Sequence, residues 1–485
     1  MFPKGGKVML GYLKNNKQLI HYIICAAFIF GMAYVPPFGM LTPRGMAMLG
    51  VFIGAIYGWT TIGMLYPSML ALVGMGIELG MNTVLAASFG SPMIMMMIVM
   101  LIIMQLLNDT GATEIIAQKI MTNKLTMGRP WMFMTLFLVA VFICSLLNPI
   151  VSIMLFMGFL RQICVSTGMP LKSPFTAVMA CGIVMAATVG QSSLPFYSGG
   201  IQYYATIAGM FQVQIPYAQW MIFFFFVGML MIVFEVLAAR FIIRLDLTKL
   251  KELDPAIFGE KKNFTKDQKI AISGFLLFVV MALLSSFLPA TNPIAVYLNK
   301  LTIFGQTVIV AALLMLLKKD DGTAFFNFNA SSARGLSWDV VFMVSVIMPL
   351  AQFLCAADTG VSAMLAMLVY PLQALPPMVF IIAVMVLAAI LTNFANNFVI
   401  GIIIMPVLAT FAGQMGMGII APIMILIICT QIAFGTPGAS FTAGLAYSFS
   451  EIVDAPMMMK YAWILVAVLT FATLAVAYPF AMFLF

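Results

Sequence analysis

Residues 378–412 read MVFIIAVMVLAAILTNFANNFVIGIIIMPVLATFA, which is two charge-free apolar arms around a polar run from Thr392 to Asn397. Backbone that leaves helical geometry inside a membrane must find hydrogen-bond partners in protein, water or a ligand. The polar break therefore predicts a helical hairpin that enters a membrane and returns, with its polar tip inside. Three further apolar segments are interrupted in a similar way: residues 131–165, 174–200 and 420–445.

The composition of the whole chain agrees with a membrane protein. Of the 485 residues, 64% are hydrophobic and 8% are charged, whereas soluble domains have about 45–50% apolar and about 25% charged residues. A membrane helix needs about 20 apolar residues. Longer segments without any charged residue are 45–77, 79–108, 130–160, 173–234, 270–299 and 359–450. The chain is therefore predicted to be an all-α polytopic membrane protein, and soluble, disordered and nucleic-acid-binding classes are excluded.

The basic residues predict an orientation for these spans. Lys4, Lys7, Lys14 and Lys17 precede the first span, and cytoplasmic loops collect lysine and arginine, so the N-terminus is expected in the cytoplasm. If 131–165 is a hairpin, the segment 240–269 with its eight basic residues also lies inside. Of the 23 basic residues, only Arg44 and Lys300 then lie outside. The expected location is the inner (cytoplasmic) membrane of the cell.

The two halves of the chain resemble each other at a fixed spacing. Asp109-Thr110-Gly111 recurs as Asp358-Thr359-Gly360 at an offset of 249. The same offset of 249 pairs Asn148 in the first hairpin with Asn397 in the second. Because the first hairpin is expected to open from the cytoplasm and the second from outside, the halves are predicted to be inverted repeats. Secondary transporters are commonly built in this way, with a site at the midplane between broken helices.

The polar breaks offer two kinds of binding chemistry. A helix N-terminus at a break presents N–H groups and a positive dipole end to an anion. Backbone and side-chain oxygens without any carboxylate suit a monovalent cation better than Ca²⁺ or Mg²⁺. The candidate substrate-binding residues are Asn148, Pro149, Ser192, Asn396, Asn397, Phe398 and Thr436. The candidate cation-binding residues are Leu147, Asn148 and Gly190 in the first half and Thr392, Ala395 and Asn397 in the second. The alternative is that these breaks are Pro/Gly kinks satisfied by neighbouring helices.

The acidic residues are expected to have structural roles, and the sequence contains no convincing enzyme motif. Asp109 and Asp358 are expected to cap the short helices that follow them. Glu78, Glu235 and Asp339 lie close to predicted span ends, where an interfacial position is expected. The only histidine is His21, and no metalloprotease or nucleotide-binding motif is present. A serine hydrolase would therefore lack its usual base, and an enzyme is not expected.

Several motifs resemble the divalent anion/sodium symporter family of the ion transporter superfamily. They are the tip sequence from Leu391 to Phe398, the helix break Gly435-Thr436-Pro437, and the early Leu41-Thr42-Pro43-Arg44 followed by Trp59. Members of that family carry a Ser-Asn-Thr signature at the tip of each hairpin. The corresponding sequences here are Leu147-Asn148-Pro149 and Asn396-Asn397-Phe398, so both signature threonines are missing.

The resemblance implies a scaffold domain that dimerises and a transport domain that moves as an elevator. The expected divisions are scaffold spans in 1–107 and 269–357, transport segments in 108–239 and 358–485, and a cytoplasmic linker in 240–268.

The expected function is secondary active transport of a small organic anion, a carboxylate, coupled to Na⁺ or H⁺. No covalent cofactor is expected, and Na⁺ is the candidate bound ion. The expected partners are the lipid bilayer, the anion substrate and a second copy of the chain, without nucleic acid. A cation/proton antiporter of the same superfamily is the first alternative, although no acidic residue lies at a hairpin tip or helix break. A channel or a membrane-embedded enzyme is the second.

Overall fold

The computed structural model describes residues 17–122, 128–253, 255–258, 263–289, 291–354 and 356–485. Within these residues every regular element is helical, apart from one isolated bridge between Lys318 and Ala324. The basic residues Lys4, Lys7, Lys14, Lys124, Lys261 and Lys262, which contributed to the predicted orientation, lie outside the described residues.

The helices of the first half are α1 (Lys17–Gly31), α2 (Pro43–Thr61), α3 (Leu65–Leu79), α4 (Met81–Ala87), α5 (Pro92–Asp109), α6 (Ala112–Met121), α7 (Pro130–Ser145), α8 (Pro149–Thr167), α9 (Pro174–Ser192), α10 (Ser198–Phe211) and α11 (Tyr217–Leu237). Those of the second half are α12 (Lys266–Phe287), α13 (Pro293–Leu316), α14 (Phe328–Gly335), α15 (Trp338–Leu354), α16 (Val361–Val369), α17 (Pro377–Leu391), α18 (Asn397–Gln414), α19 (Ile420–Gln431), α20 (Phe441–Tyr447), α21 (Ala455–Ala472) and α22 (Tyr478–Leu484). Two π-helical segments, Ala238–Ile242 and Thr473–Ala477, continue α11 and α21.

These helices confirm the predicted membrane class. Among the described residues, eight helices are long and apolar enough to cross a membrane, and ten spans result if each of two bent helix pairs counts as one. Since a bilayer core is about 30 Å thick, such a number of apolar helices defines an all-α, multi-pass membrane protein.

The chain divides into two compact units. The first contains Met1–Met95, Ala205–Gln214 and Ser337–Pro371, and the second contains Met96–Tyr204, Ile215–Leu336 and Leu372–Phe485. In the first unit, α2 packs closely on α1 through glycines. A Cβ added at Gly54 would lie 2.5 Å from Cγ1 of Ile29, and one at Gly58 would lie 2.9 Å from Sγ of Cys25. Small residues at such positions let membrane helices approach each other closely.

The second unit is built around α9. Of the apolar stretch of this helix that is long enough to span a membrane, 94% is buried. The helix packs against α7, α8, α11, α20 and α21. Ser173 and Thr176 form a capping box at its start, because the Ser173 hydroxyl accepts the Thr176 N–H and the Thr176 hydroxyl accepts the Ser173 N–H. An apolar helix buried on all sides belongs to the core of a unit rather than to its lipid-facing surface.

The predicted hairpins and broken helices are present twice, in the same order. The turn 146–148 joins α7 to α8, and the turn 392–396 joins α17 to α18. After each hairpin comes a helix that stops and restarts, at residues 193–197 between α9 and α10 and at 432–440 between α19 and α20. Gly111 and Gly360 also correspond to each other, because each directly precedes a helix. Both glycines adopt the left-handed conformation, with φ of 69° and 73°, and this conformation favours glycine.

The expectation that Asp109 and Asp358 cap helices is wrong. The residues at the cap positions of α6 and α16 are Gly111 and Gly360, and neither helix has a side-chain cap. Asp109 instead accepts a hydrogen bond from Gln105 at 2.8 Å and forms an ion pair with Arg334 at 2.8 Å. Asp358 forms an ion pair with Arg44. Each aspartate of one repeat is thus neutralised by an arginine of the other.

Candidate functional site

The first hairpin tip is organised by Asn148. Its side-chain Oδ1 accepts the N–H groups of Ile150 at 3.0 Å and Val151 at 3.1 Å, so Asn148 caps α8. Pro149 follows at the first helical position, where the lack of an N–H costs nothing. Leu147 is buried while Asn148 is half-buried. The cap uses both lone pairs of Oδ1, and the amide Nδ2 is not needed for it.

The second tip repeats this arrangement with Asn396. Its Oδ1 accepts the N–H groups of Phe398 at 3.0 Å and Val399 at 3.3 Å, so Asn396 caps α18. Asn148 and Asn396 are therefore equivalent by their role, with an offset of 396 − 148 = 248. The offset of 249, which paired Asn148 with Asn397, is wrong by one residue at the tips. Sequence spacing could not reveal this, because adjacent asparagines at 396 and 397 fit either alignment equally well.

Asn393 fastens the second tip to the second helix break. Its Nδ2 donates to the carbonyls of Ala389 at 2.7 Å and Ile432 at 2.9 Å. Its Oδ1 accepts the N–H groups of Phe434 at 3.0 Å and Gly435 at 2.5 Å. These four bonds use every donor and acceptor of an asparagine side chain, and the side chain is fully buried. Asn393 is thus a structural clamp, which the sequence interpretation did not single out among the site residues.

Two threonines complete this junction. Thr436 donates from Oγ1 to the Asn393 carbonyl at 2.5 Å, and Thr392 donates from Oγ1 to the Thr430 carbonyl at 2.8 Å. Thr392 is buried, whereas Thr436 is half-buried and Pro437 and Gly438 beyond it are exposed. The backbone freed by the second break is therefore satisfied largely by the tip of the second hairpin.

The first break packs more tightly and offers fewer groups. The Ser192 hydroxyl donates to the Thr188 carbonyl at 3.2 Å, and the Ser192 carbonyl accepts the indole N–H of Trp220 at 2.9 Å. A Cβ added at Gly190 would lie 2.7 Å from the Phe142 carbonyl oxygen. Gly190 therefore lets α9 approach α7 just before the hairpin tip, and its own carbonyl accepts the Ser193 N–H at 3.1 Å.

A chain of hydroxyl groups joins α9, about one turn before the first break, to the second break. Thr188 on α9 lies 3.0 Å from the hydroxyl of Thr442 on α20, and Thr442 lies 2.9 Å from the hydroxyl of Ser440. Ser440 donates to the Ala433 carbonyl at 2.8 Å and caps α20 by accepting the Ala443 N–H at 3.1 Å. Thr188 lies in the predicted interrupted segment 174–200, and Ser440 and Thr442 lie in the segment 420–445, but none of the three was a candidate site residue.

The helix after the first break also touches the second hairpin. The ring of Tyr203 on α10 meets the ring of Phe398 edge to face at 5.1 Å, and its hydroxyl lies 3.2 Å from that of Thr430. Asn397 donates from Nδ2 to the Gln431 side chain at 3.4 Å. The second unit thus brings the second tip, the second break and the helix that follows the first break together. Tyr203 was not among the predicted residues, because an aromatic residue in an apolar helix resembles ordinary core.

The predicted cation ligands differ in how well they fit. In the first set, both Asn148 Oδ1 and the Gly190 carbonyl already accept backbone N–H groups. In the second set, Asn397 donates from Nδ2 to the Gln431 side chain, and this bond does not involve Asn397 Oδ1. The Thr392 hydroxyl donates its proton and keeps its lone pairs. Neutral oxygens of this kind suit Na⁺, so the second set fits a monovalent cation better than the first.

The expectation that Glu235 is interfacial is wrong. This residue lies two positions before the end of α11 and is 0% exposed, and no residue in the described ranges forms a hydrogen bond to its carboxyl oxygens. Glu78 and Asp339, by contrast, are exposed. Distance along the sequence from a span end does not determine burial, because the face of α11 that carries Glu235 packs against α9, where Gly182 faces its carboxyl group.

Comparison with known proteins gives the class of the molecule. The sequence model of the citrate transporter family matches residues 23–430. The fold is similar to the crystal structure of the YdaH transporter of Alcanivorax borkumensis, whose topology is described as unusual. The TM-score is 0.52 at 12% identity, over 84% of this chain and 89% of that one. No curated protein sequence matches the chain significantly.

The chain belongs to the citrate transporter family. It is a multi-pass membrane transporter and not an enzyme, as the sequence predicted. The citrate transporter match agrees with the predicted resemblance to a family of anion transporters.

Proposed function

We propose that the protein is a secondary active transporter of a small carboxylate anion, and that citrate, the substrate named by its family, is the first candidate. One observation carries the substrate class. Each hairpin tip presents an asparagine at the positive end of a membrane helix, Asn148 on α8 and Asn396 on α18. Residues 130–160 and 359–450, which contain both tips, have no lysine or arginine.

In this proposal the carboxylates are bound by amide groups and helix dipoles. The caps use the oxygens of Asn148 and Asn396, so their Nδ2 groups and the backbone N–H of Asn397 are the donors for an anion. The N-terminus of a helix carries roughly half a positive elementary charge, and a hydrogen bond to a charged group contributes about 1.5–3 kcal/mol. Several such contacts must converge. The rings of Tyr203 and Phe398, which meet edge to face, would contact the carbon skeleton of the substrate.

A polyanion at a site without basic residues needs compensating positive charge from a coupled ion. Na⁺ near Thr392, Ala395 and Asn397 would supply it, because these residues offer neutral oxygens next to the second tip. Binding of H⁺ by the substrate or the protein is the alternative source. Either ion would make transport depend on an imposed gradient, which is the definition of a secondary transporter.

The architecture implied by the resemblance belongs to the same proposal. Segments 1–107 and 269–357 would act as a dimerising scaffold, and 108–239 and 358–485 would carry the substrate as an elevator. The linker 240–268 and the N-terminus would lie on the cytoplasmic side of the inner membrane. Ser192 and Thr436, one at each break, would line the path beside the two tips.

The proposal is tested with purified protein. A ligand that binds only the native state raises the melting temperature, so a series of mono-, di- and tricarboxylates is compared with and without Na⁺. Carboxylates that stabilise the protein are then followed as labelled substrates in proteoliposomes under imposed Na⁺ and H⁺ gradients. Stabilisation by a carboxylate and gradient-driven accumulation are expected. Cation-for-proton exchange in the absence of any anion would instead identify an antiporter.

A further inference from the structure

We infer that Glu235 is a proton-binding site in the core of the second unit, and that its proton is taken up and released during transport. The inference deepens the proposed function, on which it rests for the transport cycle. It concerns a group distant in sequence from both hairpin tips and from every predicted ligand.

The first observation is burial without a partner. Glu235 is 0% exposed, and among the described residues neither carboxyl oxygen has a hydrogen-bond partner. Within the part of the chain that the structure describes, no basic side chain forms an ion pair with it. An unpaired carboxylate in a low-dielectric interior costs far more free energy than the neutral acid. In this conformation the carboxyl group therefore carries a proton.

The second observation is a niche shaped for the carboxyl group. Gly182 on α9 faces Oε1 of Glu235 so closely that a Cβ at this position would overlap it, and the next atom met would be Leu138 Cδ2 on α7 at 2.7 Å. The neighbouring Cys181 is engaged elsewhere, with Sγ 3.9 Å from the Met458 carbonyl oxygen on α21. Helices α7 and α9 thus enclose the acid on α11, and a glycine leaves the room it occupies.

The remaining groups around α11 do not neutralise Glu235. On α9 the titratable neighbour is Cys181, which is buried. On α21, Lys460 is exposed and lies 5.7 Å from the ring of Tyr461. Arg240 of the π-helical segment is exposed and faces the rings of Trp131 and Phe241.

The other elements that pack on α11 complete this inventory. Near the N-terminal end of α12, Lys266 is exposed and paired with Asp320, Asp267 is half-buried and Lys269 is exposed. On α7 the titratable group is the buried Cys144, and on α22 it is the buried Tyr478. None of these groups supplies a fixed positive charge at the carboxyl.

The third observation is the position of the acid beside irregular helix. The α-helix ends two residues after Glu235 and continues as the π-helical segment Ala238–Ile242, and a second π-helical segment, Thr473–Ala477, packs against α11. Such segments are frequent at functional sites. At about 1.5 Å per residue, Glu235 is only about 7.5 Å along the helix from the exposed Arg240. A small displacement of α11 against α9 would bring the carboxyl group to water, and the acid could then lose its proton.

Each transport cycle binds one proton at Glu235 and releases one. Water on one side of the membrane supplies the proton that forms the O–H bond of the buried acid. When the carboxyl group reaches water on the other side, that bond breaks, the proton goes to solvent and a carboxylate remains. No redox partner is involved. The return of the empty carrier would require either reprotonation or exposure of the carboxylate to water.

The test uses wild-type protein first. Dicyclohexylcarbodiimide is an apolar reagent that reacts with protonated carboxyl groups in apolar surroundings, and peptide mass spectrometry locates the adduct. The reaction is carried out at a series of pH values. We expect an adduct on Glu235 whose yield falls as the pH rises. Absence of an adduct on Glu235 at every pH, with other acids modified, would overturn the inference. This readout needs neither a substrate nor a variant.

The second measurement uses E235Q, which keeps the shape of the neutral acid, and E78Q as the control for an exposed glutamate. Proteoliposomes containing a pH-sensitive dye report proton entry with substrate. For E235Q we expect retained exchange of labelled for unlabelled substrate, with loss of pH-gradient-driven accumulation. E78Q should accumulate substrate like the wild type. Unchanged proton-driven accumulation by E235Q would contradict the inference, whereas failure of all three proteins to bind any carboxylate would contradict the proposed function instead.

Discussion

The side chain of Asn393 accepts the backbone N–H of Gly435 at 2.5 Å. This bond joins the tip of one hairpin to the break in the following helix. A Cβ at position 435 would lie 2.7 Å from Asn393 Oδ1, so the contact requires glycine. The asparagine therefore holds the irregular backbone of the second break, while Asn396 beside it caps α18 and Asn397 donates to Gln431.

Replacing Asn393 should destabilise the protein strongly. N393A removes the hydrogen-bond partner of both the Ile432 carbonyl and the Gly435 N–H, at a cost of about 1–3 kcal/mol for each buried group left unsatisfied. N396A removes only a helix cap, which costs about 1 kcal/mol. Thermal unfolding in detergent should show a clearly larger loss of melting temperature for N393A. Equal losses in the two variants would show that the clamp is not important for stability.

The two roles of Asn148 can be separated by a serine. N148S keeps an oxygen that can cap α8 but lacks the amide donor, whereas N148A lacks both. If Nδ2 binds the substrate, N148S should regain most of the stability lost in N148A while its affinity for the carboxylate stays reduced by about tenfold or more, equivalent to about 1.4 kcal/mol. Binding to purified protein, together with melting temperature, measures both. Wild-type affinity in N148S would place the substrate elsewhere.

The hydroxyl chain between α9 and the second break predicts an energetic coupling. T188V and T442V each remove one side of a bond of 3.0 Å between buried groups. A double-mutant cycle should give a coupling of about 0.5–1.5 kcal/mol, measured as the free energy of unfolding or from transport rates. T473V removes another buried threonine hydroxyl, which donates within its own helix to the Leu469 carbonyl at 2.7 Å, and serves as the matched control. Additive effects of T188V and T442V would show that α9 and the second break are not coupled through this contact.

The cation proposal makes a prediction about Na⁺. If uptake is Na⁺-dependent, N397A should raise the Na⁺ concentration needed for half-maximal transport, because it removes one neutral oxygen beside the second tip. Asn148 caps its helix with both oxygen lone pairs, so N148S should change this concentration much less. The Na⁺ dependence of initial uptake rates distinguishes the two. An unchanged Na⁺ response in N397A would remove Asn397 from the ion site.

The linker between the halves is predicted to be cytoplasmic. A cysteine at the exposed Lys251 should resist an impermeant thiol reagent added to intact cells, whereas one at the exposed Lys300, predicted outside, should react. The five described native cysteines are buried, and the unsubstituted protein gives the background labelling. Ready labelling at Lys251 from outside would contradict the inverted-repeat arrangement.

The sequence predicted the helical membrane class, both hairpins and both breaks, because a polar run inside a charge-free apolar segment interrupts a membrane helix wherever it occurs. It could not fix contacts that depend on tertiary packing. The exchange of Asn397 for Asn396 as the partner of Asn148 is one example, since cap geometry and not spacing decides it. Asn393, Tyr203 and Glu235 are others, because nothing in a single sequence separates a clamp, a ring contact or a buried acid from neighbours of the same residue type.

The most direct test of the central claim is uptake of labelled citrate and shorter carboxylates by proteoliposomes that contain wild-type protein, N148S or N396S. Both serine variants retain an oxygen for capping α8 or α18 and lose an amide donor at a tip. Gradient-driven, saturable uptake of a carboxylate by the wild type, with a markedly higher KM in both variants, is the predicted result. Saturable uptake with the same KM in all three proteins would show that the hairpin tips do not bind the substrate.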